Sequence, residues 1–142
     1  MEPAGPDTVQ GDFNNARVTA GRVTSTFFTR GGRFLVSTDG PDGTLQDFEV
    51  AYTFGVEPLQ QYLVQLPGGR MQPLPLAWDT RPRQAGGQRW FHLYGDVGIP
   101  PGDDLHWTGR MQNWNFMCAD CHSTGVRKGY NAATGQFTTT WA

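Results

Sequence analysis

The alternation of apolar and polar positions predicts β-structure in the first half of the chain. Residues 23–29 and 33–38 are rich in β-branched and aromatic side chains, which favour strands. Gly31 and Gly32 stand between the two runs, where a two-residue hairpin turn requires positive φ angles. This pattern therefore predicts an antiparallel hairpin.

A second turn and a further strand are predicted next. Residues 39–43 combine Asp, Gly and Pro, which is the composition of a tight turn. Phe48, Val50, Tyr52 and Phe54 then recur at every second position. Since successive side chains of a strand point to opposite faces, this strand is expected to bury a single face.

A third pair of strands is predicted at 61–66 and 70–78, joined by a Pro-Gly-Gly turn. Pro73 and Pro75 place the second strand of this pair at a sheet edge, because proline has no N–H to donate to a neighbouring strand. Three successive hairpin-like units predict a mainly β protein, built on an antiparallel meander of five or six strands.

The whole chain is expected to form a single domain with three stretches. Residues 1–16 are polar and rich in turn formers, so we expect an irregular arm there. The β-meander occupies 17–78. An irregular, partly helical segment follows at 79–142, with short helical turns near 105–122 and a small hairpin at 130–141.

Composition narrows the fold and the function. Nineteen Gly and ten Pro among 142 residues favour turns and disfavour helical bundles. Eleven basic and thirteen acidic residues nearly balance at a net charge of −2, so no positive field favours nucleic acid as a partner. No apolar run is long enough to predict a transmembrane segment.

Two cysteines are too few for a disulfide framework, and their closeness in sequence indicates site chemistry instead.

The two cysteines belong to the sequence Cys118-Ala119-Asp120-Cys121-His122, which has the C-x-x-C-H spacing of a c-type haem attachment site. Two thiols on one turn can add to the two vinyl groups of the porphyrin, and the adjacent imidazole can bind the iron. A chance match is expected in roughly 6 of 10,000 random chains drawn at these residue frequencies, so the spacing is a specific signal. The motif predicts haem c bound through Cys118 and Cys121, with His122 as the proximal iron ligand.

Two other chemistries fit parts of the motif. A dithiol redox site needs only C-x-x-C, but such sites usually begin a helix in a βαβ unit, and this chain predicts a β-meander. A structural zinc site needs four ligands, so His92, His106 or a carboxylate would have to complete the set of Cys118, Cys121 and His122. Adjacent side chains in the motif diverge, which makes a tetrahedral zinc site awkward.

Residues near the motif suit the walls of a haem site. A large apolar disc needs apolar walls, and its carboxylates need cations. The flanking aromatic and aliphatic residues are Trp107, Trp114, Phe116 and Val126, and the nearby cations are Arg110, Arg127 and Lys128. Ordinary core packing of the apolar residues and surface placement of the cations are the alternatives.

The second axial ligand of the iron is expected to be His106 or His92, with Met111 and Met71 as weaker candidates. An open sixth position would instead favour small-molecule binding or catalysis. His106 lies sixteen residues before His122, far enough for the chain to pass round the disc. Met117 adjoins Cys118 and therefore belongs to the proximal side. Two imidazole ligands would favour a low reduction potential, whereas a methionine would raise it.

Several longer stretches of the chain are distinctive in combination: GDFNNA at 11–16, AYTFGVEPLQQY at 51–62, GQRWFHLY at 87–94, LHWTG at 105–109 and NWNFMC at 113–118. Together they resemble bacterial multihaem c-type cytochromes, a family whose members often carry tetratricopeptide repeats. The resemblance implies a cytochrome c-like domain with covalent haem at Cys118 and Cys121 and with His122 as its proximal ligand. It also implies export to the periplasm or the cell exterior, and a function in electron transfer.

Members of that family carry several C-x-x-C-H motifs, whereas this chain carries one. We therefore expect a fragment or a reduced member of the family, in which His92 or His106 could serve a haem attached elsewhere. The expected role is that of an electron carrier rather than an enzyme, with redox partner proteins or neighbouring haem subunits as partners. The alternatives are a relay part of a multihaem oxidoreductase and a haem-bearing structural subunit of a larger assembly or filament.

Overall fold

The computed structural model describes residues 1–94 and 99–142, without the side chain of His122. The strands are β1 (Glu2–Pro3), β2 (Ala16–Ala20), β3 (Val23–Arg30), β4 (Arg33–Asp39), β5 (Leu45–Phe54), β6 (Leu59–Leu66), β7 (Arg70–Pro73), β8 (Leu76–Asp79), β9 (Arg89–His92), β10 (Tyr130–Asn131) and β11 (Gln136–Phe137). The α-helices are α1 (Trp114–Met117) and α2 (Ala119–His122), and 3₁₀ turns lie at Pro67–Gly69, Arg83–Ala85 and Arg110–Gln112. No helix in this described part of the chain is long and apolar enough to cross a membrane.

Most of the strands form one antiparallel sheet, which confirms the prediction of a mainly β fold. The order along the sheet is β2-β3-β4-β5-β6-β8-β9, with β1 added beside β5 and β7 beside β6. β2 also approaches β9, so the sheet nearly closes into a barrel. The predicted hairpin turn joins β3 to β4 through Gly31 and Gly32, whose φ angles are 57° and 78°.

Aromatic rings fill the interior of the barrel. Phe13 is buried and makes edge-to-face contacts at centroid distances from 5.1 to 5.7 Å with four rings, those of Phe27, Phe34, Tyr62 and Trp90. The ring of Trp90 also stacks on Phe27, with 3.7 Å between the centroids. The stretch predicted to be an irregular arm therefore supplies a central residue of the core.

A β-bulge interrupts the alternation predicted for β5. The register with β6 shifts between Val50, which pairs with Val64, and Tyr52, which pairs with Leu63. Val50 packs into the barrel core, whereas Tyr52 packs against a second cluster outside it, and Thr53 is the next buried residue. The prediction of a single buried face is therefore wrong beyond Val50, because the bulge moves the following side chains to the opposite face.

The predicted partner of β6 is divided into two strands. β7 pairs with one end of β6 and β8 with the other, and the break falls at Leu74 and Pro75. Pro73 ends β7, which has one neighbour among the described strands, as predicted for an edge. β8 pairs with both β6 and β9, so the edge prediction is wrong for this strand. The reason is that Pro75 lies in the break rather than in the ladder.

The C-terminal part packs on the outside of the barrel. Leu63, Met71, Trp114 and Ala119 form the second buried cluster, which Trp141 partly covers. The short helical turns and the terminal hairpin of β10 and β11 occur where the sequence predicts them. This cluster holds α1 and α2 against β6 and β7.

Candidate haem site

The cysteine motif begins at the junction of the two short helices. Asn113 caps α1, because its Oδ1 accepts a hydrogen bond from the backbone N–H of Phe116 (3.1 Å). Cys118 lies between α1 and α2, and its N–H donates to the carbonyl oxygen of Trp114 (3.1 Å). The N–H of Cys121 donates in turn to the carbonyl oxygen of Cys118 (3.2 Å). Both cysteines therefore lie on one helical turn, which is the arrangement that attachment to a single porphyrin requires.

Asn115 fixes the turn that precedes the motif to the barrel. The residue is fully buried, and its Oδ1 accepts from the backbone N–H of Met71 (2.8 Å). Its Nδ2 donates to Oγ1 of Thr139 (2.6 Å) and to the carbonyl oxygen of Gly69 (3.3 Å). A helix of one turn is not stable alone, so these tertiary bonds hold the motif in place.

Gln72 fastens the segment before α1. Its Nε2 donates to the carbonyl oxygens of Trp107 (2.7 Å) and Gly109 (3.0 Å). Its Oε1 accepts from Nδ2 of Asn113 (3.0 Å). One buried residue of β7 therefore positions both the stretch at 105–109 and the cap of α1.

The two thiols have different environments. Cys118 is partly buried and Cys121 is exposed, and neither forms a disulfide. Burial raises the pKa of the Cys118 thiol, and the neighbouring Cys121 adds a smaller contribution in the same direction. Dithiol redox sites depend on a thiolate of lowered pKa, so this environment opposes that chemistry.

A cavity of about 720 Å³ opens beside the motif. It lies at the end of the barrel where β2, β4 and β9 end and where β3 and β8 begin. Apolar side chains contribute much of its wall, among them Val23, Leu74, Leu76, Ile99, Leu105 and Trp107. His92, His106 and Cys118 share the same wall. An apolar cavity of this volume, with a thiol and two imidazoles in its wall, fits a haem group.

His106 is buried, with 3% of its surface exposed. Its Nε2 lies 2.6 Å from Oδ2 of Asp39, and because a carboxylate accepts, this nitrogen carries a proton. Its Nδ1 accepts a hydrogen bond from the backbone N–H of Thr108 (3.3 Å), and Oγ1 of Thr108 lies 2.8 Å from the same nitrogen. Both ring nitrogens have partners, so binding a metal through either would require this network to open.

His92 ends β9 and is half-buried. Its Nδ1 accepts a hydrogen bond from the backbone N–H of Tyr94 (3.1 Å). The structure therefore brings both predicted second ligands, His92 and His106, to one cavity with Cys118. The side chain of His122, the predicted proximal ligand, lies outside the described residues.

The two predicted wall tryptophans have different positions. Trp107 lines the cavity, and its Nε1 donates to the carbonyl oxygen of Asp39 (2.7 Å). Trp114 is fully buried in the second cluster, where it meets Trp141 edge to face at 5.8 Å between centroids. Trp107 is thus placed to contact a bound group, whereas Trp114 supports the turn that carries the cysteines.

The predicted cations do not lie in the described wall of the cavity. The Arg110 side chain is 80% exposed and pairs with Asp104 (3.2 Å). Arg127 is exposed. Lys128 pairs with Asp120 (3.0 Å), and its Nζ lies over the ring of Phe116, 5.3 Å from the centroid. Closeness to the motif in sequence therefore does not bring these charges to the cavity.

Three residues that build the site were not identified from the sequence. Asp39 falls in the stretch whose composition predicts a turn, and its partner His106 is 67 residues away along the chain. Gln72 and Asn115 are single polar residues between apolar neighbours. Such isolated polar positions do indicate buried groups that need partners, but they do not identify the partners.

Comparison with known proteins found no family model, no curated protein and no solved structure that matches this chain. The resemblance to multihaem cytochromes therefore stays a prediction that depends on the residues themselves. The assignment of a function depends in the same way on the motif and on the geometry around it.

Proposed function

We propose that this chain binds one c-type haem covalently and acts as an electron carrier. Cys118 and Cys121 would form the thioether bonds, and His122 would bind the iron on the proximal side. The observation that carries the proposal is that the C-x-x-C-H turn stands beside a large apolar cavity, with Cys118 in the cavity wall.

The surroundings of the turn support this proposal. Asn115 and Gln72 fix the segment before the motif with buried hydrogen bonds, so the position of Cys118 relative to the cavity is well defined. Trp107 supplies an apolar face that is held by its own bond to Asp39. A fixed apolar wall is one of the levers by which a protein sets a reduction potential.

The bound haem would supply one-electron oxidation and reduction of its iron. His92 and His106 are the proposed alternatives for the second axial position. His106 would have to exchange its bond to Asp39 or to Thr108 for the iron. His92 would have to turn from its bond to the N–H of Tyr94 if it bound through Nδ1.

The dithiol alternative has less support. The pKa of the Cys118 thiol is raised by its burial, and a raised pKa lowers the fraction of reactive thiolate. Formation of a thioether needs the sulfur to lie against the porphyrin edge, and the partly buried Cys118 in the wall of an apolar cavity suits that need.

The test is production of the chain in a bacterial host that attaches c-type haem, with export to the periplasm. We expect the Soret and reduced α bands to stay with the polypeptide after denaturation and precipitation, and the intact mass to rise by one haem. The double variant Cys118→Ala/Cys121→Ala should lose the bands, and Arg83→Gln, at an exposed turn, should keep them. Release of the chromophore from the unaltered chain in denaturant would show that covalent attachment is wrong.

The resemblance to multihaem cytochromes extends the proposal to partners and location. We propose redox partner proteins or neighbouring haem subunits as the source and destination of electrons, and the periplasm or cell exterior as the location. A carrier should be reduced and reoxidised reversibly by small redox dyes. Steady turnover of a nitrogen or sulfur oxyanion by the reduced protein would instead favour the oxidoreductase alternative.

A further inference from the structure

We infer that Arg22 provides the positive charge that binds the carboxylates of the group in the cavity. This inference rests on the proposed function, since it concerns the same cavity. It names a residue of the turn between β2 and β3, about a hundred positions before the cysteine motif. The ligand class is an apolar, planar macrocycle that carries carboxylate groups at one edge.

The turn between β2 and β3 places Arg22 at the cavity. Ala20 pairs with Val23, so Gly21 and Arg22 are the two residues of a tight hairpin loop. Gly21 has a φ of 60°, and a two-residue hairpin turn requires a positive φ at its first central residue. Arg22 is exposed at the tip and is also part of the cavity wall, where Val23 continues the apolar surface.

Arg22 is the single arginine or lysine in the described wall of the cavity. The acidic residue of that wall, Asp39, is bound to His106 rather than to a guanidinium. Among the described residues no carboxylate lies within ion-pairing distance of Arg22. The guanidinium is therefore available for an external anion.

The chemistry of the wall matches a ligand with two unlike parts. Val23, Leu76 and Trp107 present apolar surface, which suits the ring of a macrocycle. A guanidinium binds carboxylate in a fork geometry, which suits the polar edge. Since Arg22 lies on an exposed tip and the apolar residues lie deeper in the barrel end, the carboxylates would face solvent and the ring would be buried.

The experiment measures porphyrin binding to the full chain produced without haem attachment. The probe is mesoporphyrin IX, which lacks vinyl groups and so cannot react with the cysteines, and its dimethyl ester lacks the free carboxylates. Binding is followed by quenching of tryptophan fluorescence. We expect Arg22→Gln to weaken mesoporphyrin binding about fivefold while the affinity for the ester changes by less than about twofold.

The matched control is Arg17→Gln, an exposed arginine on β2 that is not part of the described cavity wall. It should bind both probes as the unaltered chain does, and Arg22→Lys should recover part of the loss. Circular dichroism of each variant checks that the fold is intact. Equal binding of mesoporphyrin by Arg22→Gln and the unaltered chain would overturn the inference, and so would failure of the unaltered chain to bind it.

The two proposals can fail separately. Loss of porphyrin affinity in Arg22→Gln without covalent haem in the periplasmic product would support the role of Arg22 and contradict the proposed attachment. Covalent haem with no effect of Arg22→Gln on porphyrin binding would support the attachment and contradict the role of Arg22.

Discussion

Nε2 of His106 lies 2.6 Å from Oδ2 of Asp39, and this bond joins the end of β4 to the segment that precedes the cysteine motif. The side chains of His106 and Asp39 are 4% and 17% exposed, so water competes little for the bond. The carbonyl oxygen of Asp39 accepts a second bond from Nε1 of the adjacent Trp107 (2.7 Å). Asp39 therefore holds two consecutive residues of the cavity wall.

We expect Asp39→Asn to lower the free energy of unfolding by about 2 kcal/mol, because buried hydrogen bonds to charged groups contribute more than neutral ones. The backbone bond to Trp107 does not depend on the carboxylate, so the loss reports on the two side-chain bonds of Asp39, the short one to His106 and the longer one from Oγ1 of Thr38 (3.2 Å). Urea unfolding followed by tryptophan fluorescence measures it. The control is Asp47→Asn, in an exposed pair with Arg30 (3.5 Å), which should change stability by less than about 1 kcal/mol. Equal losses in the two variants would contradict the prediction.

The parts of the fold that depend on local sequence could be predicted. The turn at Gly31 and Gly32 follows from the need for positive φ angles, and the structure places the hairpin there. The bulge after Val50 could not be predicted, because the period-two pattern continues through Tyr52 as if the strand were regular. Beyond the bulge, Tyr52 packs against the second cluster outside the barrel, and this tertiary contact is not visible in the sequence pattern.

The site could be predicted only in part, because the sequence pattern reports local features and not the tertiary packing. The spacing of Cys118 and Cys121 is a local feature, so the sequence places both on one turn correctly. The partners of His106 and the cavity position of Arg22 depend on which strand ends meet at one end of the barrel. Sequence neighbours of the motif such as Arg110 lie elsewhere, because Arg110 belongs to a separate 3₁₀ turn and pairs with Asp104 at the surface.

Asn115 is expected to be essential for the position of the motif. Asn115→Ala removes one acceptor and two donated bonds, and it leaves the buried N–H of Met71 without a partner. We expect a loss of about 2–3 kcal/mol in the free energy of unfolding, measured by urea denaturation. Asn131→Ala, at the exposed end of β10, is the control and should cost less than about 1 kcal/mol. A small effect at Asn115 would show that the helix is held by apolar packing alone.

The two thiols should react at different rates in the chain without haem. Burial raises the pKa of Cys118 and limits access to it, whereas Cys121 is exposed. With iodoacetamide at about pH 8, where a free thiol is partly ionised, we expect Cys121 to be alkylated several-fold faster. Peptide mass spectrometry at short reaction times measures both sites in one sample, and full unfolding in urea should make the rates equal. Faster reaction at Cys118 would contradict the prediction and favour a dithiol site.

Asp79 is expected to make a pH-dependent contribution to stability. Its carboxylate accepts from Nε and Nη2 of Arg81, and the bond from Arg81 lowers the pKa of Asp79 below its usual value of 3.8. A lowered folded-state pKa means that the contribution is present above the unfolded value and is lost as the pH falls through the folded value. Asp79→Asn should therefore be less stable than the unaltered chain at about pH 6, and the difference should shrink at about pH 2.5. Thermal unfolding at the two pH values measures it.

The control for Asp79 is Arg83→Gln, which changes a nearby exposed arginine. It should leave the pH dependence of stability unchanged, whereas Arg81→Gln should reproduce the loss seen in Asp79→Asn. A difference between Asp79→Asn and the unaltered chain that grows as the pH falls would have the wrong sign for a carboxylate stabilised in the folded state.

A side chain at Gly69 is expected to destabilise the fold, because this residue lies between the barrel and the C-terminal hairpin. Its φ of 71° strains any other residue, and a methyl group there would overlap the carbonyl oxygen of Phe137. Gly31 is the matched control, since it has a φ of 57° with open space around it. Gly31→Ala should cost about 1 kcal/mol from backbone strain alone, and Gly69→Ala at least about twice as much. Urea unfolding measures both losses, and limited proteolysis should show earlier cleavage in the C-terminal part of Gly69→Ala. Equal losses in the two variants would mean that the hairpin moves aside at little cost.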